Sequence, residues 1–276
     1  MFPRPFIGAL AFAAAFAAVN AARAFDAQYP DWKGQWARTG DARWDPSKPR
    51  DLGQGAPLTA EYQKIYEDNL ADQKQGGQGT DPTYTCIPEG MPRAMNVIMP
   101  MEIITTPKLT YLIIEYFNMW RRVYTDGRDW RKDAEPSFLG YSIGKWIDRD
   151  GDGRYDALAI ETRAFKGPRV FDPSGIPLHA DNQTVVQELI YLDGKDPNLL
   201  HDRVTTIDHA LTRPWAVDKI YRRNRNPAWV EFVCAEHNDH IRIGSADYFR
   251  SADGLLMPTR KGQAPPDLKY FDAAGK

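Results

Sequence analysis

A succession of strand-like runs from residue 100 onward, with no helical stretch between them, constrains this chain's fold more than any other feature. The runs are MEIITT, TYLIIEYF, WRRVYTD, SFLGYSIGKWID, YDALAIETRAF, TVVQELIYLD, LHDRVTTIDH, PWAVDKIYRR, AWVEFVCAE and, more weakly, IRIGSADYFR. Each is rich in β-branched and aromatic residues, and NM, DG, DGDG, DGKDPN and NRNP separate them. Short strands at this spacing build an antiparallel barrel or sandwich, whereas a parallel sheet needs helical crossovers. With no internal repeat and no low-complexity linker, residues 25–276 read as one mainly β domain whose barrel strands span 100–257.

Two segments precede the strands. Residues 25–57 are rich in Trp and broken by Pro, without a sustained period, and read as an extended arm that lays Trp32, Trp36 and Trp44 on a body. Residues 59–75 read as one helix. Thr59 is its cap, Tyr62, Ile65, Tyr66 and Leu70 recur along one face, and Gly76 and Gly77 end it.

The N-terminus has the form of a secretory leader. Arg4 lies ahead of an apolar run at 7–19 that is too short to span a bilayer of about 30 Å comfortably. Ala22-Arg23-Ala24 supplies a cleavage site, so residues 1–24 are expected to be removed; an uncleaved anchor is the alternative. A periplasmic or secreted location follows, with no membrane span after cleavage. There, Cys86 and Cys234 are expected to pair, contributing on the order of 4 kcal/mol by the chain-entropy estimate; two buried free thiols are the alternative. The formal charge of −2, more negative once Arg4 and Arg23 are gone, argues against nucleic acid as a partner.

Ionisable residues inside apolar runs make the barrel's centre informative. Glu115 interrupts LIIEYF, Glu188 interrupts TVVQELIYL, and VTTIDHALTRPW gathers Asp208, His209 and Arg213. Barrels of this size often keep room for one small ligand, and charges inside would need partners, Arg with a carboxylate being the least costly.

The run WIDRDGDGRYD places Asp148, Asp150, Asp152 and Asp156 at the first, third, fifth and ninth positions of a calcium-loop pattern, with Gly153 at the bend. Ala159 stands where an EF-hand needs Glu, and the flanks read as strands. The loop is therefore either a calcium-holding hairpin tip with a structural role or a plain Asp-Gly turn. His237 and His240 in AEHNDH have no compact third ligand for a zinc or copper ion. His179 and His209 are better pocket candidates, able to act as acid or base near neutral pH. Gly140-Tyr141-Ser142-Ile143-Gly144 lies on a strand and lacks the helix a nucleophile elbow requires, and no phosphate loop or dinucleotide fingerprint occurs, which argues against a nucleotide cofactor.

The blocks CIPEGMPRAM, RRVYTDGR, GYSIGKW, HALTRPW and EFVCAEHN, together with the YPDWKGQW start, resemble those of a large uncharacterised group of secreted bacterial proteins. Both cysteines fall in matching blocks, which supports pairing them, while the aspartate loop departs from the group's shorter hairpin. The strand pattern also resembles lipocalin-like barrels, by architecture only. Two functions are expected, beside a third reading in which the chain is a structural envelope protein whose interior polar groups are simply satisfied ion pairs, as a filled interior with paired Arg and Glu would indicate. In one, the barrel binds a small apolar or aromatic molecule, oriented by Glu115, Arg122, His179, Arg213 and Trp215. In the other, the same pocket houses a cofactor-free lyase, isomerase or hydrolase that uses His209 with Glu188 or Asp208.

Overall fold

The computed structural model describes residues 27–96, 98–236, 239–243 and 246–266. The leader and its cleavage site before Phe25 lie outside the described residues, as do His237 and Asn238.

Nine strands close into a barrel. They are β1 (Gln35–Arg38), β2 (Met101–Thr105), β3 (Leu109–Ile114), β4 (Met119–Tyr124), β5 (Tyr141–Ile147), β6 (Ala157–Arg163), β7 (Val185–Leu192), β8 (Leu199–Ile207) and β9 (Trp215–Asn224). Strands adjacent in sequence are adjacent in the sheet, and β1 seals the ring between β2 and β9. The closing strand thus comes from the Trp-rich arm, where QWAR is too short to show a period. Every pairing is antiparallel except β4 with β5, which run parallel through Val123↔Ser142 and Tyr124↔Ile143. Residues 125–140 leave the wall and return at the same level, so β5 continues in the direction of β4.

Along each strand one side chain in two faces inward. Met119, Arg121 and Val123 are buried on β4, while Trp120 and Arg122 between them are exposed. The arm fills the two barrel ends with tryptophan. Trp32 packs on Trp146 beside Tyr29 and Tyr155, and Trp44 packs on Phe171 and Trp215. Burying such rings is worth roughly 25 cal/mol per Å² of apolar surface, which anchors a segment with little regular structure of its own.

Helix α1 (Ala60–Lys74) begins as expected, with Thr59 accepting from the Tyr62 N–H. Its buried face is Tyr62, Tyr66 and Asn69, and Ile65 is exposed. The reason is polar docking: the Tyr66 hydroxyl meets Ser174 Oγ at 2.8 Å, and Asn69 donates to the Ser174 carbonyl. Beyond the barrel, β10 (His240–Ile243), β11 (Ala246–Arg250) and β12 (Leu256–Pro258) form a separate antiparallel sheet. AWVEFVCAE is not a strand. It runs irregularly into a 3-10 turn at Cys234–Glu236, where the disulfide to Cys86 ties this region to the segment ahead of β2. Among the described residues, no helix is long and apolar enough to cross a membrane.

Candidate functional site

The barrel's centre is charged, and it is filled by protein. Arg121 on β4 forks onto both oxygens of Glu188 on β7, at 2.7 Å for Nη1–Oε1. It also donates to Ser142 Oγ and Thr162 Oγ1, so its donors are satisfied from three further strands. Lys219 on β9 donates to the Trp44 carbonyl and to Asn96 Oδ1, and its ammonium lies 3.9 Å from the Trp44 ring centre. Burial lowers the Lys219 pKa to about 7. Asp202, directly across from Lys219, is fully buried with neither carboxyl oxygen hydrogen-bonded. Its pKa is pushed well up, first by desolvation and then by the Glu188 charge.

The remaining space is taken by the segment that follows CIPEG. Met91, Ala94, Met95 and Asn96 are almost wholly buried. The Met95 carbonyl accepts from the Tyr221 hydroxyl at 2.5 Å, and its sulfur lies 3.6 Å from Arg121 Nη1. This internal plug is what turns the expected ligand chamber into a packed core.

The sequence-predicted residues therefore disperse. Glu188 faces inward but is committed to Arg121. Arg122 points out to solvent; the interior arginine is its neighbour, because a one-residue step on a strand changes the face. Glu115 is buried just past the end of β3, outside the central network. Arg213 is exposed on a loop, and Trp215 is core, packed on Trp44 and Phe171. Asp208 braces two loops: Oδ1 accepts from the N–H groups of His179 and Ala210, and Oδ2 from the Thr184 hydroxyl. His209 and Glu188 thus do not share a pocket, and the acid–base pair built from them is not assembled.

His179 and His209 do meet, at the rim where β7 begins and β8 ends. Asp181, which carries no signal of its own in the sequence, lies between them. Its Oδ1 is 2.9 Å from His179 Nδ1 and its Oδ2 is 2.6 Å from His209 Nδ1. Desolvation pushes the Asp181 carboxyl up, but the Gln183 N–H, His209 and His179 outweigh it and hold it at about 2. The same hydrogen bond to Asp181 raises His209. Tyr62 packs on His179 with ring centres 5.1 Å apart and the planes tilted by 34°.

A second cluster escaped the sequence reading, although two of its members, Glu89 and Arg93, lie in the CIPEGMPRAM block. Arg93 donates to both oxygens of Asp81 and stands 2.9 Å from Glu89 Oε1, all three buried. Desolvation raises Glu89 to about 7 against the pull of Arg93, and Tyr116 beside it goes to about 12, again chiefly through burial. The adjoining cavity of about 90 Å³ is too small for an aromatic ligand.

In the aspartate loop, Asp148, Asp150 and Asp152 bring carboxylate oxygens within 4.8 Å of one another. Asp148 accepts from the N–H groups of Gly151 and Gly153, which lower its pKa. Asp156 stands apart, bound to Arg149 through Nε at 3.0 Å and through its backbone N–H.

Grooves of about 350, 390 and 450 Å³ occur among the described residues, and the first of these has aromatic walls. It lies between the arm and β2, holds about 350 Å³, and is lined by Tyr29, Asp31, Trp32 and Lys33 on one side and Glu102, Ile103, Ile104 and Thr105 on the other. It exists because β1 pairs with β2 only at Gln35↔Glu102 and Trp36↔Met101, so the β2 edge past Glu102 faces the arm's side chains instead of a strand. Compared with protein-family models and with curated proteins, the chain matches none.

Proposed function

We propose that the protein is a periplasmic or secreted β-barrel that binds a small apolar or aromatic molecule, and that the molecule lies outside the barrel, in the groove between the arm and β2. The observation that carries this reading is the groove itself: about 350 Å³ with Tyr29, Trp32, Ile103 and Ile104 as apolar walls and Asp31, Lys33 and Glu102 at its margins. Ligand sites are of this kind, mostly apolar with a few placed polar groups, and at least about 300 Å³ in volume. Backbone groups on the free edge of β2 offer hydrogen bonds to a polar edge of the ligand, so a flat molecule with one polar side fits best. The Cys86–Cys234 disulfide supports an oxidising compartment. The enzyme alternative has less behind it, since its acid and base belong to separate networks. Calcium on the aspartate loop belongs to the proposal as a stabiliser of the β5–β6 hairpin, with Asp156 joining the shell once it leaves Arg149.

The test pairs native mass spectrometry of protein from its own envelope with binding of 1-anilinonaphthalene-8-sulfonate. Ile104 is half-exposed and lines the groove, so Ile104→Lys obstructs it at little cost to folding. Loss of the retained ligand and of probe fluorescence in that variant is expected. Unchanged binding by a folded Ile104→Lys protein would place the ligand elsewhere.

A further inference from the structure

We propose that His179, Asp181 and His209 form a binding site for a divalent transition-metal ion of the zinc class, with an open coordination position facing solvent. One nitrogen of each imidazole and one Asp181 oxygen lie within 4.8 Å of one another. A tetrahedral zinc shell with bonds near 2.0–2.1 Å sets its ligand atoms roughly 3.3 Å apart, so closing gaps of at most about 1.5 Å by side-chain rotation completes it. Two imidazoles and a carboxylate suit zinc, copper(II) or nickel better than calcium or magnesium, which prefer all-oxygen shells.

The arrangement of donors adds a second argument. The Asp181 N–H donates to His179 Nδ1 at 3.1 Å. Asp181 Oδ1 stands 2.9 Å from the same nitrogen, so both the backbone and the carboxylate of Asp181 are drawn up against this edge of the His179 ring. His209 Nδ1 converges on the other oxygen of the same carboxylate at 2.6 Å.

The loops that carry these residues are held in place independently of any ion. Asp208 joins the His179 backbone to the Ala210 backbone and to Thr184. Arg169, buried, donates to Asn182 Oδ1, to Thr184 Oγ1 and to the Met91 carbonyl, which fixes the turn after Asp181. Tyr62 of α1 packs on the His179 ring. Such outer contacts fix ligand orientation in metal sites. The His209 side chain is 67% exposed, so solvent reaches the ion directly. Three protein ligands with one open position is the pattern in which zinc holds a water that ionises near neutral pH. The site lies at the opposite end of the barrel from the aspartate loop, because β7 starts beside the end of β8 here while Ala157 pairs with Tyr191 there.

Calorimetric titration of zinc chloride into the disulfide-bonded full chain tests this, with cobalt(II) absorption as a second readout. One zinc per chain is expected, weakened at least tenfold in His209→Ala and in Asp181→Asn, together with loss of the visible cobalt band. His201→Ala removes a His–Asp pair of the same type at the other end and leaves zinc binding unchanged. Zinc affinity that survives His209→Ala, or that falls instead with His201→Ala or His240→Ala, overturns the assignment. The groove proposal stands or falls separately, since Ile104→Lys leaves all three ligands in place.

Discussion

Replacing Glu188 with Leu should be among the most damaging single changes in this protein, and adding Arg121→Met should repair most of the damage. Both side chains are buried at the barrel's centre and bonded through both carboxylate oxygens. Removing one partner leaves a buried charge without its counter-charge, which costs about 3–5 kcal/mol. Arg121 would keep Ser142 and Thr162 as acceptors, which softens the loss without supplying a charge. Against a total stability of about 5–15 kcal/mol, that loss is a large fraction. At about 2–4 °C per kcal/mol for a domain of this size, it is a fall in melting temperature of about 6–20 °C. The double replacement removes both charges and keeps comparable volume, so it should lie within about 2 kcal/mol of wild type on either side. Urea unfolding of the two single variants and the double variant, followed by tryptophan fluorescence, gives the coupling energy directly. A Glu188→Leu protein within about 1 kcal/mol of wild type, or a double variant less stable than both singles, would refute the view that this pair is a self-contained buried unit.

Stability should also respond to pH through Lys219 and Glu89, in opposite senses. The folded pKa of Lys219, about 7, is below its usual 10.5, so between those values the unfolded chain holds the extra proton and stability rises with pH. The Lys219 slope, up to about 1.4 kcal/mol per pH unit, should vanish between about pH 7 and 9 in Lys219→Met, read by urea midpoints at each pH. Glu89, raised from 4.5 to about 7, holds a proton in the native state that the unfolded state lacks, so stability falls as pH rises through that window. Glu89→Gln should flatten this limb, and an unchanged slope would mean that the carboxyl titrates normally. Reducing the Cys86–Cys234 bridge opens a loop of 148 residues and should cost about 4–5 kcal/mol by the chain-entropy estimate; a melting temperature indifferent to dithiothreitol would contradict it. Calcium should bind the aspartate loop weakly, with a dissociation constant of about 10⁻⁴–10⁻³ M, and Asp150→Asn should abolish it; no calorimetric response at extracellular calcium levels would leave the loop as a plain turn.

Where strands are long and rich in β-branched residues, the sequence alone showed their existence. On β7, Glu188 read correctly as a charge inside an apolar run, whereas the inward-facing Asp202 of β8 and Lys219 of β9 went unread because each lies among other charged residues. The misreadings have separate physical causes. Arg121 and Arg122 are adjacent and alike, so composition does not show which faces inward; only the register against β3 does. β1 is four residues long, too short for a period, and its pairing depends on partners far along the chain. CIPEGMPRAM has the Pro and Gly content of a surface loop, yet the barrel buries its second half because Tyr221 and Arg169 donate to the Met95 and Met91 carbonyls and Lys219 to Asn96 just beyond. AWVEFVCAE has strand composition, but Pro227 precedes it and Cys234 is anchored to Cys86, so it never joins an edge.

The plug also explains why the candidate chemistry sits at the rim. Inside the barrel Arg121 is matched by Glu188 and Lys219 by Trp44 and Asn96, and Met91, Ala94 and Met95 take up the volume in which a guest could reach the unbonded carboxyl of Asp202. Opening a chamber would mean expelling the segment that carries Met95 and Asn96 and leaving Lys219 and Tyr221 to find new partners. The loops carry no such constraint. Asp208 and Arg169 already hold the turns that carry His179, Asp181 and His209, so those three side chains can vary their contacts without disturbing the wall. The arm is held in the same way by Trp32 and Trp36, which sets the groove's one wall opposite the β2 edge past Glu102. The filled interior makes the scaffold rigid, and rigid scaffolds are what allow exposed loops to hold reactive side chains in fixed geometry.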